Sequence, residues 1–267
     1  VQGKAATLHN MAGVIAQQGD VTRALELWNQ SLVILEQIGD VKGKAATLNN
    51  MAGVIAQQGG VTRALELWNQ SLQASEQIGD VKGKAATLAN MAWLAGKQGD
   101  SPRECQLNLE SARLLASIRA WLDLARVLGN LGASNDPHAT TFLAQALWLA
   151  VRVEVPADLA VSLAAALLEK LGPQSESAPL VATAGLFLAQ VRGASHPRRE
   201  QMQQLGTGML SACAAERKIA QDKLMDWLAS EGLNDPARFL PALARALEAL
   251  VGESAWLFDR QLLSKEA

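Results

Sequence analysis

The chain has 267 residues, with 24 Lys and Arg against 26 Asp and Glu, two Cys, no Tyr and a formal net charge of −2. So even a balance leaves no electropositive stripe of the kind that binds nucleic acid. The apolar runs are too short to cross a bilayer. Cys105 and Cys213 lack a CxxC spacing and read as free thiols in a reducing, cytoplasmic setting.

The phrase GKAATLxNMA stands at 3–12, 43–52 and 83–92, and returns as DLARVLGNLG at 123–132. A fixed period of this length marks a stacked repeat array, in which no unit buries its apolar face alone. Residues 1–40 and 41–80 differ at six positions, so what the third and fourth units retain is more informative than what the first two share. Units are expected near 1–40, 41–80, 81–120, 121–155 and 156–192, the last two degenerate. Within each unit, Gly19, Gly39, Gly59, Gly79 and Gly99 punctuate two helices, and the Asp or Ser after the glycine supplies the next cap. The first pair is expected over about 2–18 and 21–38. In the third unit, Ser101 is expected as the cap, ahead of Pro102 and Glu104.

On the first helix, Leu8, Met11, Ala12 and Ile15 share a packing face, while Ala6, Asn10, Gly13 and Gln17 share the opposite one. On the second, Ala24, Trp28, Ser31 and Leu35 align, and the indole is expected to fill the gap between units, as Trp68 does forty residues on. Glu104 and Asn108 replace the Ala and Trp of the third unit, so packing there is expected to shift to Leu107, Leu114 and Ile118. Further helices are expected from 158 to 171 and from Pro179 to Arg192. From 193 to 267 the rhythm stops. Helices near 197–216, 220–231 and 236–250, and a last one containing Trp256 to Leu263, are expected to cap the array. Arg198, Arg199, Arg217 and Lys218 are expected to be solvated.

The succession Leu8, Met11, Ala12, Ile15, Gly19, Ala24, Trp28 and Ser31, repeated from Leu48 to Ser71, resembles the tetratricopeptide repeat. The 40-residue length and the LxNMA phrase resemble the variant found in kinesin light chains and bacterial signalling proteins. The resemblance implies an all-α fold, a right-handed superhelical array of antiparallel helix pairs whose first helices line a concave groove. It also implies a non-enzymatic, cofactor-free protein whose partner is a protein or peptide.

Asn10, Asn50, Asn90 and Asn130 form one series. Asn is a mediocre residue for a helix interior, so helix stability does not ask for it there. One amide per unit would make a ladder suited to an extended peptide backbone, as the resemblance also implies; the alternative is an amide bonded to a neighbouring helix or simply solvated. Gln17, Gln57 and Lys97 continue the same face, and Arg126 lies toward its other end. Trp93 is either an anchor for a ligand side chain or a ring folded onto the third unit. Catalytic signatures are missing: His9, His138 and His196 show no metal-binding spacing, and no nucleophile elbow or phosphate loop occurs. Two functions fit. One is a scaffold binding an extended peptide in the groove; the other is an internal regulatory or self-assembly module of a larger bacterial signalling protein. Val1 stands in register with Val41 and Val81, which suggests a segment of a longer protein whose uncapped N-terminal end could self-associate.

Overall fold

The computed structural model describes residues 2–263, so the register of Val1 lies outside the described residues. Thirteen α-helices and two short 3₁₀ turns make up the regular structure of that span, with no strand among the described residues. The chain divides into two compact units, one up to Ile118 and one from Arg119 onward. That division falls inside the stretch 1–192 expected as one array.

The first unit is three helix hairpins: α1 (Gln2–Gln17) with α2 (Val21–Gln37), α3 (Val41–Gln57) with α4 (Val61–Gln77), and α5 (Val81–Lys97) with α6 (Ser101–Ser117). Hairpins stack through α2 on α3 and α4 on α5, and the first helices α1, α3 and α5 also touch in sequence. The turns follow from local chemistry. Gly39 and Gly79 have φ of 69° and 67°, a left-handed conformation that glycine adopts without a Cβ penalty. The Asp40 and Asp80 carboxylates then accept the N–H of Gly43 and Gly83, capping α3 and α5. Arg119 stands forty residues after Gly79 and takes the same conformation, with φ of 56°.

Trp28 and Trp68 are buried, as expected, in a continuous core with Leu48, Met51, Leu67, Met91 and Leu94. The serine beside each indole position has a role beyond being small. Ser31, Ser71 and Ser111 each donate to a carbonyl of their unit's first helix, at Ala5, Ala45 and Ala85, over 2.9 Å. This bond joins the two helices of every hairpin, including the third, where the indole is gone.

Two expectations for the third unit are corrected. Asp100, not Ser101, caps α6 through a bond from the Arg103 N–H, because the reach from cap side chain to third N–H starts one residue earlier. Packing does not shift to Ile118, which is 40% exposed. Leu115 is buried instead, Leu107 and Leu114 are half-buried, and Asn108 remains at the buried position of the indole. Its Oδ1 has no hydrogen-bond partner.

The second unit begins with the hairpins α7 (Trp121–Ala133) with α8 (Ala139–Arg152) and α9 (Ala157–Leu171) with α10 (Ala178–Val191). Next, α11 (Arg199–Glu216) packs on α9 and α10, α12 (Leu224–Ser230) follows, and α13 (Pro236–Val251) packs on α8 and α10. Asp235 caps α13 ahead of Pro236, and Pro241 lies inside the helix. Arg217 is not solvated: its guanidinium donates to the carbonyls of Pro173, Ser175 and Cys213, tying the 173–177 connection to α11. No helix spans Trp256 to Leu263. That segment is irregular, with one 3₁₀ turn at Arg260–Leu262. Among the described residues, no helix is long and apolar enough to cross a membrane.

Candidate functional site

The first helices of the first unit enclose a groove of about 380 Å³. Gly13 and Gln17 of α1, Asn50, Gly53 and Gln57 of α3 and Asn90 of α5 line it, with Val54 and the buried face of Trp28 beneath. It exists because the glycines leave space: a Cβ built at Gly13 or Gly53 meets nothing within 4 Å. The surface is neutral and amide-rich.

The amides are not free. Asn90 Nδ2 donates to Asn49 Oδ1 at 3.0 Å, and Asn50 Nδ2 lies 3.1 Å from His9 Nε2. The residue at position 9 or 49 thus bonds the asparagine of the next unit, the two lying 41 residues apart. Hydroxyl chemistry fixes the His9 tautomer. Thr47 Oγ1 donates to the Gly43 carbonyl at 2.8 Å, so at 2.9 Å from His9 Nδ1 it accepts the ring N–H. His9 Nε2 is then the acceptor for the Asn50 amide. Burial lowers the His9 pKa from its usual 6.5 and keeps the ring neutral. Each amide therefore spends one N–H on its neighbour. Its carbonyl oxygen and second N–H have no other partner among the described residues.

The remaining expected residues do not join this groove. Asn10 lines a separate hollow of about 200 Å³ with His9, Asp40 and Thr47. Trp93 is 41% exposed, with the Lys97 ammonium 6.0 Å from its ring centroid. Arg126 and Asn130 lie in the second unit, in a recess of about 660 Å³ with Asp158, Ser162 and Arg198. Lys44 and Lys84 form surface ion pairs with Glu36 and Glu76 at 2.7 and 2.8 Å. His9, Asn49 and Thr47 were missed by sequence reasoning. The signal for the first two is that position 9 against 49 is among the six differences between the first units.

Residues 43–103, which contribute Asn49, Asn50, Gly53, Gln57 and Asn90 to the groove, match the family model described as tetratricopeptide repeat. Those residues are thus similar to tetratricopeptide repeats. No curated protein is matched by the chain. Such repeats in general form non-catalytic scaffolds that mediate protein–protein contacts. In this chain the repeat hairpins place Gln17, Asn50, Gln57 and Asn90 around one neutral groove.

Proposed function

We propose that the first unit is a non-catalytic scaffold that holds an extended peptide of a protein partner in the groove of α1, α3 and α5. The observation that carries this reading is the pairing of Asn50 and Asn90 with residues of the preceding helix. The pairing orients each amide and leaves a carbonyl and an N–H for a ligand. Oriented donors and acceptors at repeat spacing suit a peptide backbone, and Gly13 and Gly53 leave room for its side chains. The neutral surface favours backbone recognition over charge.

The test starts from peptides selected on the full chain from a displayed random library. Changing Asn50 and Asn90 together to Ala removes two ligand bonds worth about 0.5–1.5 kcal/mol each, roughly a five- to 150-fold loss of affinity. Gly53→Trp puts in the second repeat the residue that the third carries at position 93, and should block the groove while helicity is kept. Selected peptides indifferent to both changes would refute the proposal.

A second reading, the internal regulatory or self-assembly module, has one observation in its favour. Met51 and its neighbours on α3 pack against α2, with Met51 5% exposed, whereas the matching Met11 and Val14 of α1 are 48% and 54% exposed. That apolar face is complementary to a helix patterned like α2.

A further inference from the structure

We infer that α7, α8 and α13 form a second peptide-docking site, which recognises a non-helical aromatic-x-aromatic segment and is occupied here by the chain's own residues 253–263. The site does not depend on the groove of the first unit. Its centre is Gln145, in the middle of α8 and fully buried. A buried amide needs partners, and Gln145 takes both from the backbone of a non-helical segment. Its Nε2 donates to the Ala255 carbonyl at 3.1 Å, and its Oε1 accepts the Leu257 N–H at 2.9 Å. Such a clamp reads backbone, as an added strand does, and leaves side chains to supply the selectivity.

Trp256 and Phe258 supply it, their own rings 5.3 Å apart and edge to face. The Trp256 ring lies 5.3 Å from Trp148, edge to face, and Phe258 lies 5.8 Å from both Trp148 and Trp121. These separations are in the favourable range for aromatic pairs. Arg260 covers Trp256 at 4.7 Å and reaches Glu248 at 3.5 Å.

The wall of the site also has bonds within itself. Trp148 Nε1 donates to Glu248 Oε1 at 3.0 Å, and the Arg152 guanidinium stacks on the Trp148 ring at 3.6 Å. The segment itself is not part of any helix between Gly252 and Asp259. It follows a left-handed Gly252, with φ of 74° and open space around it. Its release therefore leaves the helices intact and exposes a clamp and aromatic rings that need covering. The occupant that fits is a partner segment with the same pattern, in competition with the chain's own.

The probe is a labelled peptide with the sequence of residues 253–263, used with the full chain. Wild type should bind it weakly, because its own segment competes. Trp256→Ala with Phe258→Ala, which releases that segment, should bind about ten- to a hundredfold more tightly, the factor for freeing a site otherwise open in a minor fraction of molecules. Adding Gln145→Leu should abolish binding while helicity is retained. Binding no tighter in the released variant, or binding that survives Gln145→Leu, overturns the inference. Native-state hydrogen exchange on wild type decides independently of how the variants fold. The Leu257 amide should exchange with far less protection than the amides of α8; equal protection overturns the inference.

Discussion

Replacing Trp68 by Ala tests the packing on which the first unit depends. The indole has no exposure and lies among Leu48, Met51, Leu67, Met91 and Leu94. A buried indole removes about 150–250 Å² from water, and at about 25 cal/mol per Å² this corresponds to about 4–6 kcal/mol. The figure is an upper bound, since the unfolded chain already hides part of that surface. The expected loss is thus about 3–5 kcal/mol, the range for truncating a large buried aromatic. Hydrogen bonding adds nothing, because Trp68 Nε1 has no partner. Trp68→Phe should therefore cost clearly less than Trp68→Ala, since it removes an unsatisfied donor along with part of the ring. Repeat arrays unfold in segments, so urea melts followed by circular dichroism should be read with hydrogen exchange of α3 and α4 amides. A loss below about 1 kcal/mol, the usual value for a surface change, would refute the assignment. So would a Phe variant as unstable as the Ala variant, because the indole N–H would then be contributing.

The His9 network predicts a pH dependence. Its folded pKa is lowered from 6.5, so the unfolded chain binds more protons below that pH, and stability falls as pH drops through about 6.5 toward the folded value. His9→Asn, which copies the second repeat, should remove this part of the slope. Urea midpoints with the same slope in both proteins would show that His9 is not the group responsible. The exposed face of α1 predicts that wild type self-associates at high concentration and that Met11→Glu reverses it. Sedimentation showing only monomer for wild type would remove the self-assembly reading.

The repeat hairpins were legible because the period of 40 residues is stated four times and the five turns between α1 and α6 are each marked by glycine. The indole core was legible for the same reason, since Ala24, Trp28, Ser31 and Leu35 share one face of a helix and all four are buried. Failures began where the pattern decayed. In the third unit the expectation was that losing the indole would reroute the packing, but the serine bond from Ser111 to Ala85 keeps α6 in the same register. Asn108 is thereby held in the indole's place, with its Oδ1 unpaired. Geometry fixed by two intact neighbours overrides the preference of one side chain.

The residues missed at both sites share a cause. Asn50 and Asn90 stand out because a mid-helix amide repeats, yet their partners His9 and Asn49 occupy a position where successive units carry His, Asn, Ala and Gly. A search for recurrence passes over that position. Gln145 is hidden more deeply, because its partners lie 110 and 112 residues away on a segment without periodicity. Trp256 to Leu263 read as part of a final helix, since a short apolar run does not distinguish a helix from another conformation. What separates the two is a buried amide on another helix that needs a carbonyl and an N–H. An interior helix turn has already spent both groups on itself, so a non-helical backbone has to offer them.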